Sequence, residues 1–137
     1  MKKLFLDTNF IIDYLLREEF KNDSQQFLAE GSKRKCKFYI SFLSVANFAY
    51  IARKLSTTEL YRYLSALSNL FIIIPNTDSQ IKSAIDLQAS YFEDALQYQA
   101  ALDAGCECII TRNEKDFGFS QIPVSSASDF VDRYFRG

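Results

Sequence analysis

Apolar and polar positions change period several times along the chain. Lys3 to Leu6 is a short apolar run closed by Asp7-Thr8-Asn9, after which Ile11, Ile12, Leu15 and Leu16 recur at helical spacing. This predicts a strand and then a helix capped by Asn9. A second helix is predicted over 22–33 on Phe27 and Leu28. It is followed by a strand on Lys37-Phe38-Tyr39-Ile40, whose aromatic and β-branched content suits a pleated surface. A helical face then starts at Leu43 or Ser44 and continues through Phe48, Ile51 and Leu55.

Ser56-Thr57-Thr58-Glu59 has the form of a capping box and opens a helix carrying Leu60, Leu64, Leu67 and Leu70. Phe71-Ile72-Ile73-Ile74 before Pro75 reads as a buried strand. Thr77-Asp78-Ser79-Gln80 opens a helix to about Gln88, and Ser90-Tyr91-Phe92-Glu93 opens another that closes at Gly105. Cys108 to Thr111 is a strand, Arg112 to Gly118 a polar loop, and Ile122-Pro123-Val124 a short edge strand. Ser126-Ala127-Ser128-Asp129 opens a last helix with Phe130 and Tyr134. Strands alternating with helices predict one three-layer α/β/α domain over 1–137, around a central, mostly parallel sheet of four or five strands.

Composition agrees with an ordered domain: 137 residues, 48% apolar, 24% charged, with only 4 Gly and 2 Pro. Absences narrow the chemistry further. The chain has no histidine, so Ser-His-Asp and Cys-His nucleophilic sites and HExxH metal sites cannot operate from it alone. Gly31, Gly105, Gly118 and Gly137 are scattered and form no phosphate-cradling loop of the GxGxxG or GxxxxGK[ST] kind. Cys36, Cys106 and Cys108 are odd in number and lack a CxxC pair, and they read as reduced, buried thiols of a cytoplasmic protein. The apolar stretch after Lys2-Lys3 ends at Asp7, and no run approaches a membrane span, so no membrane association is expected. A net charge of −1 and a pI near 5.5 argue against a generally basic nucleic-acid-binding surface. Lys33-Arg34-Lys35 with Lys37, and Arg53-Lys54, read as solvated helix ends or loops.

In open parallel sheets ligands bind outside the carboxyl ends of the strands. Asp7 stands at one such end, although turn and cap roles are common for Asp. Thr111-Arg112-Asn113-Glu114-Lys115-Asp116 follows another strand in the same sense. Glu93 fits the third position of a capping box with Ser90, whereas Asp94 has no capping duty and Asp103 reads as a solvated face. Carboxylates converging there would need a cation. Oxygen ligands without His or Cys suit Mg²⁺ or Mn²⁺, and metal-assisted phosphodiester hydrolysis is the chemistry this inventory permits.

Leu6-Asp7-Thr8-Asn9-Phe10-Ile11-Ile12-Asp13 resembles the opening of PIN-domain proteins. Further blocks resemble the family in order: Ile40-Ser41 through Tyr50, then Glu93-Asp94-Ala95-Leu96 with Ala100, Ala101 and Ala104-Gly105, then Ile109 through Phe117, and finally Ile122-Pro123-Val124. The resemblance covers nearly the whole chain. It implies a single-stranded RNA nuclease dependent on Mg²⁺ or Mn²⁺, of the kind found as VapC-type toxins in bacterial toxin–antitoxin pairs. Asp7, Asp94 and Asp116 would then be metal ligands or their supporting carboxylates, and Asn9 and Thr111 would orient ligands or water. A small antitoxin and a homodimer are implied as partners. Two positions depart from the family: Asn47 stands where its active members carry glutamate, and Asn113 where an acidic residue is frequent. An amide brings no charge and cannot act as a base. The resemblance therefore leaves two functions, an endoribonuclease with Asn47 among its catalytic positions, or a weakened fold that binds RNA or protein.

RNA approaching an acidic cleft needs nearby cations, and Arg112 and Lys115 are nearest by sequence. Two other classes fit worse. A haloacid-dehalogenase-type phosphotransferase wants a second aspartate where Asn9 stands, and a receiver domain wants one after the third strand, where the chain reads Ile74-Pro75-Asn76.

Overall fold

Burial on the first strand already sets the layers. In the computed structural model, which describes residues 1–136, β1 (Lys3–Leu6) directs Leu4 and Leu6 into one core and Phe5 into another, all three fully buried. A strand covered on both faces requires this alternation. β1 pairs in parallel with β2 (Lys37–Ser41) and with β4 (Cys108–Ile110). β3 (Ile72–Ile74) and β5 (Val124–Ser125) complete a five-stranded parallel sheet of order β3-β2-β1-β4-β5.

Helices cover both faces, giving three layers. On the Leu4 and Leu6 side pack α1 (Thr8–Leu16), α2 (Glu18–Lys33), α3 (Phe42–Ile51), α4 (Thr57–Leu70) and α7 (Ala127–Phe130). Phe27 of α2 is central there, with the rings of Phe10, Phe38 and Phe130 at 5.4, 5.6 and 5.6 Å. Gly31 of α2 faces the Phe38 ring so closely that a Cβ would sit 2.6 Å from it. On the Phe5 side, Tyr98, Ala100 and Ala101 of α6 (Phe92–Asp103) pack with Tyr39 and Ile109, and α5 (Asp78–Leu87) packs on α6 through Ala84, Ala95 and Leu96.

Three of the capping signals read from the sequence are realised. Ser56 accepts from the Glu59 N–H, Ser126 accepts from the Asp129 N–H, and Thr77 and Gln80 form a reciprocal box. Ser90 does not cap α6: Tyr91 takes that position without a side-chain bond, and Glu93 simply lies in the first turn. Gly105, at φ 70°, closes α6 in the left-handed region after Ala104. α2 starts at Glu18 rather than 22, with Glu18 and Glu19 in its first turn favoured by the helix dipole. α3 ends at Ile51, so Leu55 lies beyond it while still packing on the core.

β3 is not the buried strand its composition suggests. It is the sheet edge, and Ile72 is 44% exposed. The other edge shifts to Val124–Ser125, because Pro123 has no N–H to donate and offers only its carbonyl, to Ile109 N–H. Cys106 and Cys108 are buried, and burial pushes both thiols up to about 12, whereas Cys36 is only partly buried. Among the described residues no helix is long and apolar enough to cross a membrane.

Candidate functional site

Parallel pairing sets the carboxyl ends of β1, β2 and β4 side by side. Leu6 is in register with Ile110, so Asp7 and Thr111 become neighbours across the two strands. The Asp7 N–H donates to the Ile110 carbonyl at 3.0 Å, and Thr111 Oγ1 donates to Asp7 Oδ2 at 3.0 Å. Asp7, not Asn9, holds the N-cap position of α1, with its carboxylate turned elsewhere. Asn9 lies inside the first turn. Its Nδ2 donates to Asp7 Oδ2 at 3.2 Å and to Thr111 Oγ1 at 2.9 Å, and its Oδ1 accepts from Arg112 N–H at 3.3 Å. A buried carboxylate draws these donors more strongly than a helix end in water does.

The other oxygen of Asp7 is held by a residue that motif reasoning missed. Gln97 of α6 is 2% exposed; its Nε2 lies 3.3 Å from Asp7 Oδ1, 2.7 Å from Ser44 Oγ and 3.3 Å from Thr8 Oγ1. Its Oε1 accepts from Ser41 Oγ at 2.5 Å. The available signal was a lone amide inside the buried stretch Ala95-Leu96-Gln97-Tyr98.

Asp94 and Asp116 stand on the open side. Asp94 is in the first turn of α6 and Asp116 in a 3-10 turn, Glu114–Phe117. With Tyr91, Phe92 and Glu93 they line an open groove of 620 Å³. Burial and then the charges of Asp7, Asp116 and Glu93 push Asp94 up to about 7. Burial also raises Asp7, against the hydrogen bonds from Thr111 and Gln97. The three aspartates thus share one electrostatic neighbourhood.

The remaining sequence candidates are placed less centrally. Asn47 is half-buried on α3, one turn beyond Ser44, and it is Ser44 that joins the Gln97 network. Asn113 is exposed and contributes its backbone N–H to Thr111 Oγ1 at 3.1 Å. Arg112 is engaged away from the groove: its guanidinium forks onto Asp13 at 2.5 and 3.1 Å and lies 4.2 Å from the Phe20 ring centroid. Asp13 is 4% exposed in its side chain and needs that cation. Lys115 is exposed.

Among the described residues no group of three or more His, Cys, Asp or Glu is gathered to hold a metal ion. The oxygen donors suit Mg²⁺ or Mn²⁺ in kind. Asp7 Oδ2 accepts two hydrogen bonds, from Asn9 and Thr111, and Oδ1 accepts one, from Gln97, which fixes the carboxylate's orientation and leaves Oδ1 a lone pair for a ligand.

A family model described as the PIN domain matches residues 3–115. This chain belongs to the PIN-domain family. It is 25% identical over 139 residues to Ribonuclease VapC1 of Aquifex aeolicus, a comparison covering 97% of this chain and 96% of that protein. Among solved structures, a toxin–antitoxin complex from Klebsiella pneumoniae matches at 26% identity and TM-score 0.70, covering 90% of this chain and 97% of that one. VapBC2 from Rickettsia felis, bound to a DNA fragment from their promoter, matches at TM-score 0.74 and 15% identity over 90% of this chain and 98% of that one, a likeness of fold alone. In this PIN domain the acidic edge is therefore built from Asp7, Asp94 and Asp116, with neutral amides and hydroxyls around the first of them.

Proposed function

We propose that this PIN domain is an RNA-binding module with a weakened hydrolytic site, acting as the toxin-side half of a toxin–antitoxin pair. The surroundings of Asp7 carry the proposal: Asn9, Thr111 and Gln97, the side chains that hold its two oxygens, are all neutral and add neither charge nor a base. Asn47 and Asn113 add no charge where the family resemblance leads one to expect carboxylates. A Mg²⁺ or Mn²⁺ ion at Asp7, Asp94 and Asp116 would be held loosely; when bound it would supply charge to a phosphate and acidify a water. The chain's own contribution is positional. Asn9, Thr111 and Gln97 hold the Asp7 carboxylate in place, and Lys115 in the adjoining turn offers a cation to the RNA backbone. Likeness to toxin–antitoxin complexes supports a small antitoxin protein as partner.

One observation favours a second reading, a working Mg²⁺- or Mn²⁺-dependent endoribonuclease for single-stranded RNA. Asp94 is raised partly by Asp7 and Asp116, a repulsion that a bound cation would relieve. The test incubates purified protein with a mixed single-stranded and structured RNA pool in Mg²⁺, Mn²⁺ or EDTA, beside Asp7→Asn and Asn47→Glu. The weakened site binds RNA, cleaves it slowly or not at all, and gains metal-dependent cleavage in Asn47→Glu. Rapid metal-dependent turnover by the wild type that vanishes in Asp7→Asn would establish the second reading instead.

A further inference from the structure

We infer that the groove beside Asp94 is a nucleobase subsite, in which Tyr91 and Phe92 stack an unpaired base that carries an amino group; the inference rests on the RNA-binding reading above. Most aromatic residues of this chain have a partner. Phe27 and Phe130 anchor one core, Tyr98 pairs with Phe119 at 5.3 Å, Tyr134 lies on Phe130 at 4.5 Å, and Arg53 sits 4.0 Å from the Tyr50 ring centroid. Tyr91 and Phe92 differ. They are consecutive, 61% and 46% exposed, and among the described residues neither pairs with another aromatic ring or joins a core cluster. Both line the 620 Å³ groove that also holds Asp94 and Asp116, a volume within the range of about 300–1,000 Å³ usual for small-ligand sites.

Charge decides which part of a nucleotide enters. Glu93, Asp94 and Asp116 repel a phosphate, whereas a base has no net charge and its face stacks on an exposed ring. In their ionised form carboxylates only accept hydrogen bonds. They match the amino N–H groups of adenine, cytosine and guanine, with guanine offering two parallel donors to one carboxylate. Uracil presents two carbonyl oxygens around a single N–H and meets repulsion. A base inside a duplex has both faces covered and its amino group in use, so only an unpaired base enters.

The experiment measures binding of labelled short oligomers of A, C and U, and of a duplex, by fluorescence anisotropy in Ca²⁺ and in EDTA. It compares wild type, Tyr91→Ala/Phe92→Ala and Tyr91→Phe. Both rings lie outside the packed cores, so these variants fold. The wild type binds the A and C oligomers several-fold tighter than U and the duplex. The double variant loses about tenfold in affinity for A and C, on the scale of stacking measured by alanine substitution. It no longer distinguishes the bases, and it keeps its salt dependence because no phosphate contact is lost. Tyr91→Phe binds as the wild type does. The chain has 8 Tyr and no Trp, so stacking also quenches tyrosine emission in the wild type, and to a lesser extent in Tyr91→Phe. A double variant with wild-type affinity and wild-type base order would overturn the subsite and leave the RNA-binding reading standing. A wild type that binds no oligomer in either buffer would overturn both.

Discussion

Asp7 and Asp94 are two carboxylates at the same sheet edge in opposite surroundings. Asp7 is buried, and Asn9 and Thr111 on one side and Gln97 on the other hold its two oxygens. Asp94 looks onto an open groove, and burial together with Asp7, Asp116 and Glu93 all act to keep it protonated. The first belongs to the architecture: its donors tie β1, β4, α1 and α6 together. The second is left for a ligand. A site built this way is rigid on one wall and responsive on the other, and its charge balance is set by what enters the groove.

The sharpest way to break this contrast is Gln97→Leu. It removes the partner of Asp7 Oδ1 and one of the two partners each of Ser41 Oγ and Ser44 Oγ in a buried space, and a loss of about 3 kcal/mol is expected in urea unfolding. Glu93→Gln, on the open wall, should stay within about 0.5 kcal/mol of wild type. Equal effects from the two would mean that the walls do not differ.

Arg112→Ala comes next. It leaves Asp13 with only Arg17, at 3.9 Å. Because the Arg112 side chain is 34% exposed, the loss should be about 2 kcal/mol, below that of a fully buried pair. RNA affinity should change little, while Lys115→Ala should reduce the log–log salt slope by about one. A flattened slope in Arg112→Ala would return that guanidinium to the RNA-facing side.

The smallest effect concerns pH. Asp94 sits at about 7 in the folded protein against an ordinary 3.8, so between those values the folded state binds more protons than the unfolded one. Stability from this group therefore falls as pH rises from about 4 to about 7. Asp94→Asn removes the fall and should make the protein more stable than wild type at pH 8, by about 1 kcal/mol once screening by the open groove is allowed for. Urea midpoints at pH 5 and pH 8 measure it, and identical pH trends in the two proteins would place Asp94 in ordinary solvent.

Much of the fold was legible because its signals are local. Apolar runs marked β1, β2 and β4, and the Ser56 and Thr77 caps opened α4 and α5 where spacing placed them. The same logic misled at Ser90, whose side chain plays no capping role, and at β3, where three isoleucines form an edge instead of a buried strand. Asp7 and Thr111 could be singled out because each directly follows a strand. Gln97 could not: its importance depends on Ser41, Ser44 and Asp7, which lie 56, 53 and 90 residues away.

Periodicity and residue type by themselves determined the order of strands and helices, the absence of histidine chemistry, and which acidic residues could stand at strand ends. Those properties depend on neighbours one helical turn or one pleat away. Only the tertiary structure decided that Gln97 holds Asp7, that Arg112 is engaged by Asp13 across 99 residues of chain, and that Tyr91 and Phe92 remain uncovered beside Asp94. Hydrogen bonds and charges act through space, and the packed sheet brings together partners that the chain keeps far apart.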